Sequence, residues 1–272
     1  MQEYLGSTKE RSYGLVVKDN DLIRKLNTKG NKFTLLELKS FAYICSKIEK
    51  DSADEQYKLS YDFEINEFCR ICGMCDKNEH VNGKSYQIMK ATLKKLSDRS
   101  CWIRKADNSG EILFRLIDTP ETFDKKGILR ITIHSTAKPY LFDLKNKFTI
   151  YGLINVLQLS SSHTFRIYEF LKSYAYQKNI NVSLDEFRLA LNIEEDKIYQ
   201  NYPELNRKII KPGIEEINKK TDLQISYKPK RLGRKVNEIH FNIKPKSGDT
   251  PGIIDIKGKE QTPASKSLEA VI

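Results

Sequence analysis

The sequence predicts an α+β chain of two tandem modules, each with three helices and a β-hairpin, related by internal duplication. The first observation is a near-repeat, LKSFAY at 38–43 and LKSYAY at 171–176. The second is that the order helix, helix, helix and hairpin occurs around each copy. The third is that positive charge concentrates in the last hairpin and the helix before it.

The first module contains four predicted elements. TLLELKSFAYICSKI, 34–48, begins with a capping box, in which the side chains of Thr34 and Glu37 each accept a hydrogen bond from the backbone amide of the other residue. FEINEFCRICG, 63–73, is typical of a short strand entering a helix that ends at Gly73. The third helix is HVNGKSYQIMKATLKKLSDRS, 80–100, and CWIRK, DNSG and EILFRLID alternate and turn as a hairpin does.

The second module repeats this order. SSHTFRIYEFLKSYAY, 161–176, is a helix that buries Tyr168, Leu171 and Ala175, and SLDEFRLALNI, 183–193, starts with a capping box from Ser183 to Glu186. The third helix, 202–222, contains Pro212 and Gly213, which must kink it or start its second half. The segment 223–243 alternates as two strands around a basic turn that contains a glycine.

Each module therefore resembles a winged helix, a helix-turn-helix followed by a β-hairpin called the wing. Between the modules, DKKGILRITIH is predicted as a strand, and 138–159 as the remaining sheet and a connecting helix. We expect an N-terminal domain at 1–145 and a C-terminal domain at 146–246, with the boundary near Lys145 to Phe148. Gly, Pro, Ser and Lys dominate 247–272 without periodicity, which predicts a flexible tail.

Composition favours a cytoplasmic protein with a polyanionic partner. The sequence has 272 residues and a formal net charge of +11. Residues 201–246 contain twelve Lys and Arg but only five Asp and Glu, so most of the surplus positive charge lies there. The start, MQEYLGSTKERS, lacks the pattern of a signal peptide, and no apolar run is long enough for a membrane helix. Nucleic acid is the commonest polyanion in a cytosol, and no membrane is expected as a partner.

Three of the five cysteines form CRICGMC: Cys69, Cys72 and Cys75. A closed zinc or iron–sulfur site needs a fourth ligand, and His80 is the only nearby histidine. Cys69 and Cys72 are spaced as neighbours on a helix, where free cysteine packs as a small apolar residue. The spacing favours core packing and no cofactor, with a metal or redox site as the alternative.

The sequence lacks the motifs of the enzymes that process nucleotides or nucleic acids. Gly83, Lys84 and Ser85 resemble the end of a phosphate loop, but the preceding residues are not rich in glycine. No HExxH, GxSxG or GxGxxG occurs, and the four histidines stand singly, without the paired histidines of a DNA nickase. We therefore predict a protein that is not an enzyme and has no catalytic residues.

The cationic residues predict binding of double-stranded DNA. The segment 228–235, KPKRLGRK, puts a group of cations at the predicted tip of the last hairpin, where Gly233 allows the turn: Lys228, Lys230, Arg231, Arg234 and Lys235. The preceding helix adds Arg207, Lys208 and Lys211, with Tyr202 and Asn206 able to bond base edges. One charge run is usually a solvated surface, but two adjacent basic elements favour a helix that reads bases beside a wing that holds phosphates.

The third helix of the first module offers a weaker polar set. Its members are Lys84, Ser85, Gln87, Lys90 and Lys94. These residues are compatible with contact to a second DNA segment, and the module is equally compatible with self-association. The sequence does not decide between the two roles.

Five stretches together resemble the iteron-binding plasmid replication initiator proteins: VVKDNDLIRKLN (16–27), FTLLELKSFAYICSKI, KPYLFDLKNKFTIYGLINVLQL, HTFRIYEFLKSYAY and EINKKTDLQISYKPKRLGRKVNEIHFNI. The resemblance covers 16 to about 245, and its last segment is the most specific. It implies two winged-helix domains, of which the C-terminal one docks a recognition helix in the major groove of origin repeats. It further implies that monomers open the origin and gather host replication proteins, while dimers repress the initiator's own gene.

By position, the resemblance assigns the recognition role to Asn206, Arg207, Lys208 and Lys211. It assigns the wing role to Lys230, Arg231, Arg234 and Lys235. The cluster CRICGMC departs from the family pattern. Three alternatives remain beside the initiator: a winged-helix transcriptional regulator with no initiator activity, a nickase and an RNA-binding protein. A regulator differs from an initiator in that its gene does not support replication of a plasmid.

Overall fold

The computed structural model describes residues 14–25, 32–48, 59–104, 109–142, 144 and 148–246. The predicted tail at 247–272 lies outside them, as do residues 145–147 at the predicted domain boundary. The domain limits therefore stay a prediction. Within the described ranges, no helix combines the length and apolar character that crossing a membrane requires.

The first module has the predicted order of elements. Its helices are α2 (Leu35–Ser46), α3 (Ile65–Ile71) and α4 (Gly83–Asp98), and its hairpin is β3 (Ser100–Arg104) with β4 (Glu111–Arg115). The capping box of α2 is confirmed, because the Glu37 amide donates to Thr34 Oγ1 at 3.3 Å and the Thr34 amide donates to Glu37 Oε2 at 2.7 Å. Strand β2 (Ser60–Glu64) leads into α3, and Gly73 follows that helix with φ of +76°.

Two small sheets complete this half of the chain. The predicted strand in DKKGILRITIH is β6 (Ile128–Ile133), which lies between β2 and β5 (Ile117–Phe123) in an antiparallel sheet. The first strand, β1 (Leu15–Asp19), pairs with β7 (Phe148–Gly152), so this pair joins the two sides of the predicted boundary. Three short helices connect the strands: α1 (Asn20–Lys25), α5 (Lys138–Leu141) and α6 (Leu153–Leu157).

The second module repeats the order. It contains α7 (Ser162–Lys172), β8 (Asn179–Ser183), α8 (Leu184–Leu191), a long third helix, β9 (Leu223–Leu232) and β10 (Lys235–Pro245). The three strands form one antiparallel sheet in the order β8, β10, β9. Only half of the predicted capping box of α8 forms: Ser183 accepts from the Glu186 amide at 3.1 Å, but the Glu186 carboxylate accepts from the Tyr174 hydroxyl at 2.9 Å.

The two near-identical hexapeptides occupy different positions in their helices. LKSFAY lies inside α2, but α7 ends at Lys172, so the rest of LKSYAY forms a turn and a 3-10 helix, Ala175–Gln177. Ala175 is consequently only partly buried, contrary to the expectation for a residue on the buried helix face. The similarity between the modules lies in the order of their elements and not in this hexapeptide.

The long third helix continues through Pro212, which lies in the first turn of its second half, as predicted. It consists of α9 (Tyr202–Leu205), a π-helical turn (Asn206–Ile210) and α10 (Lys211–Lys220), and the Lys211 amide donates to the Asn206 carbonyl five residues earlier. Proline has no amide hydrogen and clashes with the carbonyl four residues before it, and the wider π turn accommodates this defect. Gly213 lies against α7, where an added Cβ would be 2.9 Å from Ile167 Cδ1.

Both modules share one continuous hydrophobic cluster. Polar contacts reinforce it: Lys18 Nζ of β1 is 2.8 Å from Glu169 Oε1 of α7, and both residues are buried. The Arg24 guanidinium donates to Ser173 Oγ at 2.8 Å and stacks 3.6 Å from the centroid of the Tyr174 ring. The second module and the start of the chain therefore pack as one body.

Candidate DNA-binding surface

The third helix of the second module presents an apolar face to the core and a cationic face to solvent. Its buried residues are Leu205, Ile209, Ile210, Ile214 and Ile217. Arg207, Lys208 and Lys211, all predicted site residues, are exposed on the other side. Because the apolar face fixes the helix against α7 and β9, the cationic face has a defined orientation.

Two of these cations share one carboxylate in the free protein. Glu204 Oε2 lies 2.8 Å from Arg207 Nη2 and 3.2 Å from Lys208 Nζ. The hydrogen bonds from Arg207 and then Lys208 lower the pKa of Glu204. Since Arg207 is 66% exposed, its guanidinium can exchange this carboxylate for another acceptor without unfolding the helix.

Asn206 connects the helix to the wing. Its Oδ1 accepts a hydrogen bond of 2.7 Å from the Tyr227 hydroxyl of β9. Tyr202, the other predicted reader of base edges, is half-buried, and burial raises the pKa of its hydroxyl. Roles for both residues at base edges stay predictions, but the side-chain amide oxygen of Asn206 already serves to hold the helix and the hairpin together.

The wing cations are spread along the hairpin rather than gathered at its tip. Leu232 pairs with Lys235 across a two-residue turn of Gly233 and Arg234, while Lys228 pairs with His240 four residues farther along the strand. At about 3.4 Å per residue, Lys228 lies roughly 14 Å from the tip. The expectation that all five cations sit at the tip is wrong, because the strands extend farther than their sequence pattern indicated.

The pairing also divides the cations between two faces. Arg231 is four residues from Tyr227 on β9 and shares its face, which is the face that meets the third helix. Lys228 and Lys230 point to the opposite face, where Glu238 lies opposite Lys230. Lys235 pairs with Leu232 and therefore shares the face of Lys228 and Lys230, so Arg231 is the strand cation on the helix side, with Arg234 in the turn.

The first module presents a sparser set. Lys84, Gln87, Lys90 and Lys94 are exposed on α4, in agreement with their predicted positions. Lys94 forms an ion pair with Asp98 at 2.5 Å, and Lys90 Nζ lies 5.0 Å from the centroid of the Tyr86 ring. The inclusion of Ser85 is wrong, because this residue is 2% exposed and its amide donates to the capping Asn82.

The three clustered cysteines differ in burial. Cys69 and Cys72 are fully buried, as expected of packing residues, while Cys75 is partly exposed. Burial raises the pKa of Cys69 to about 11 and that of Cys72 to about 12. Among the described residues, no group of three or more His, Cys, Asp and Glu is arranged to hold a metal ion.

Sequence reasoning missed two residues that organise this surface, Glu204 and Tyr227. Glu204 had a local signal, since it precedes Arg207 and Lys208 by three and four residues on a helix. Tyr227 had none, because its partner Asn206 is 21 residues away and the pairing depends on how the hairpin packs.

Comparison with known proteins identifies the family whose fold carries this surface. Residues 15–172 match the family model described as initiator replication protein, WH1, and residues 183–243 match initiator Rep protein, WH2. The solved structure described as the Pi initiator protein in complex with iteron DNA has a TM-score of 0.66 and 20% sequence identity. That likeness covers 86% of this chain and 98% of the Pi chain, and it confirms the fold of two winged helices.

Three proteins from Escherichia coli show similarity in sequence. A replication initiation protein is 25% identical over 234 residues, which are 84% of this chain and 69% of the relative. The PI protein is 29% identical over 155 residues, about half of either chain, with 51% covered in each. An uncharacterised 27.6 kDa protein is 31% identical over 105 residues, which are 38% of this chain and 42% of the relative.

Proposed function

This chain belongs to the initiator replication protein family and is a DNA-binding initiator of plasmid replication; we propose that it binds double-stranded origin repeats through its second module. In this proposal the helix Tyr202–Lys220 enters the major groove and reads bases with Arg207 and its neighbours. The wing follows the adjacent backbone and binds phosphates with Arg231, Arg234 and Lys235. The protein performs no covalent chemistry in this role.

The observation that carries the proposal is that two cationic elements, the third helix and the wing, are bonded to each other in one module. The hydrogen bond from Tyr227 to Asn206 joins the basic helix to the wing at 2.7 Å, so both meet a duplex in a fixed relation. Exposed cations lose little hydration before binding, and each phosphate contact releases condensed counterions, which favours association at low salt. The helix can then distinguish bases while the wing sets its register.

The proposal includes partners beyond DNA. Host replication proteins would assemble on the bound initiator, and a homodimer would exchange with the monomer that opens the origin. The first module, with Lys84, Lys90 and Lys94 exposed on α4, would contact further DNA in the monomer or take part in the dimer. Sedimentation of the protein with and without repeat DNA tests whether one equilibrium links these states.

Removing the two cations of the wing turn should weaken binding to every duplex. For Arg234→Ala combined with Lys235→Ala, we expect the slope of log affinity against log salt to fall by about 2, because each residue releases about one counterion. Fluorescence anisotropy over a salt series measures this slope on a duplex selected by the protein and on random DNA. An unchanged slope would remove the turn from the interface.

The matched control replaces Lys125 and Lys126 with alanine. These adjacent cations are exposed in the short 3-10 helix Asp124–Lys126 of the first module, far from the wing in the chain. The control lowers the net charge by the same amount, so it separates a local phosphate contact from a general electrostatic effect. Because this 3-10 helix is bonded to α4 through the Tyr86 hydroxyl and Asp124, we expect the salt slope of the control to change less than that of the wing variant, and an equal change would indicate a general electrostatic effect.

Arg207→Lys should reduce discrimination between the selected duplex and random DNA. Lysine keeps the charge but lacks the planar fork that bonds guanine O6 and N7, so the loss should be about 1–3 kcal/mol for one bidentate contact. Competition binding with single-base variants of the selected duplex locates the affected position. Equal losses on selected and random DNA would show that Arg207 contacts phosphate instead.

The transcriptional regulator is distinguished by a replication assay. A plasmid that contains only this gene and its flanking DNA should replicate in a permissive host, and the Arg207→Lys variant should not support its replication. Tandem direct repeats beside the gene would supply the expected binding sites. A protein that controls transcription but cannot maintain the plasmid would match the regulator.

A further inference from the structure

Leu232 occupies an unusual position at the end of the wing. It is the last residue of β9 and closes the two-residue turn with Lys235. Its side chain is 75% exposed, the largest value for a large hydrophobic residue in the part of the chain that the structure describes. The turn does not require an apolar side chain, since Gly233 provides the left-handed conformation with φ of +62°.

Single exposed apolar residues are common, so exposure alone explains nothing. The surroundings of Leu232 are the second observation. Arg231 precedes it on β9, Arg234 lies in the turn, Lys235 pairs with it from β10, and all three are exposed. A protein partner that covered Leu232 would have to cover these cations as well. A nucleic-acid duplex instead offers phosphates at the rim of a groove and an apolar base stack inside it.

The length of the wing gives Leu232 the required reach. Tyr227 is the residue of β9 whose hydroxyl meets the third helix, and from there to Leu232 the strand extends five residues. At about 3.4 Å per residue, the backbone of Leu232 lies roughly 17 Å beyond that contact, and its side chain is on the opposite face of the hairpin from Tyr227. The minor groove of B-DNA is about 6 Å wide and 7.5 Å deep, which is too narrow for both strands of a hairpin but admits one apolar side chain from its tip.

We propose that Leu232 is an apolar wedge that enters the minor groove of the bound duplex, unstacks one base step and bends the DNA. This inference rests on the proposed function and adds a mechanical role to the wing. Aliphatic side chains that enter the minor groove bend duplexes by roughly 20–90° toward the major groove. Such a bend would favour strand separation at the weakened step.

The experiment compares Leu232→Ala with the wild type on a duplex that the protein has selected from a random pool. Energy transfer between dyes at the two ends measures the bend, and 2-aminopurine placed at successive adenines reports unstacking. We expect both signals in the wild type and their loss in Leu232→Ala, whereas Leu232→Met should retain them. Leu189→Ala, which removes a 40% exposed leucine from α8, should behave as the wild type.

A second measurement uses a duplex with a mismatch at the step that 2-aminopurine identifies. A mismatched step is easier to unstack. The wild type should therefore bind the mismatched duplex more tightly than the fully paired one, by a factor of about ten or more. Leu232→Ala should bind the two duplexes about equally. Circular dichroism of Leu232→Ala should match that of the wild type, because the leucine makes no part of the core.

These outcomes separate the wedge from the proposed function. An undiminished bend and an equal 2-aminopurine signal in Leu232→Ala would overturn the wedge, as would a straight duplex bound by the wild type. An equal loss of both signals in Leu189→Ala would overturn it too. Failure of the wild type to prefer the selected duplex over random DNA would instead overturn sequence-specific binding itself.

Discussion

Glu37→Gln should lower the free energy of unfolding by about 3–5 kcal/mol, because it removes the carboxylate that forms a buried ion pair with the Arg99 guanidinium. Arg99 Nε is 2.8 Å from Glu37 Oε1, and Arg99 Nη2 is 2.9 Å from Glu37 Oε2. The side chains are only 5% and 0% exposed. Urea unfolding followed by circular dichroism measures the loss.

The first module contains an exposed pair of the same geometry that serves as the control. Arg130 Nε and Nη2 lie 2.7 Å and 2.8 Å from the two carboxylate oxygens of Asp62, and nearly half of each side chain is exposed. Asp62→Asn makes the same chemical change in water, where solvent screens both charges. We expect a small fraction of the loss caused by Glu37→Gln. Equal losses would contradict the assignment of the effect to burial.

The pH dependence of stability provides an independent measure of the same pair. Burial alone would raise the pKa of Glu37, but hydrogen bonds from Arg99 and Thr34 outweigh it, and the pKa is lowered from its ordinary value of 4.5. A carboxylate whose pKa is depressed by folding stabilises the protein above that value, and this stability is lost as the pH falls below it. The Glu37→Gln variant should therefore lack the part of the acid-induced loss of stability that comes from protonation of Glu37.

Glu169→Gln should also cost about 3–5 kcal/mol, and it should act at the junction between β1 and α7. Lys18 Nζ lies 2.8 Å from Glu169 Oε1 and 4.6 Å from the centroid of the Phe41 ring, with its side chain 3% exposed. The Tyr151 hydroxyl donates to the same carboxylate. Hydrogen exchange should show increased opening of β1 and of its partner strand β7, in addition to the loss of global stability.

Lys18→Met combined with Glu169→Gln distinguishes charge from packing. The double variant removes the unpaired ammonium but keeps an amide oxygen that can accept from Tyr151. Because uncharged residues of similar volume often replace a buried ion pair at little cost, we expect it to recover much of the lost stability. A double variant as unstable as Glu169→Gln would show that the charge on Lys18 is not the cause.

Much of the candidate site was predictable because its signals are local. The alternation of 223–243 predicted both strands, Gly233 predicted the turn, and the exposure of Arg207, Lys208 and Lys211 followed from helical spacing. The distribution of the wing cations was not predictable. It depends on which residues of β9 and β10 face each other, and a shift at Val236 to Glu238 alters that pairing.

The residues alone determined the order of three helices and a hairpin in each module, because capping, periodicity and turns act over a few neighbouring positions. Thr34 with Glu37 and Ser183 with Glu186 start their helices through bonds between near neighbours. Tertiary structure alone decided that the Tyr227 hydroxyl binds Asn206 and that Lys18 meets Glu169 across 151 positions. Such contacts form only when distant segments of the chain pack together, so the sequence around one residue does not indicate which residue it will contact.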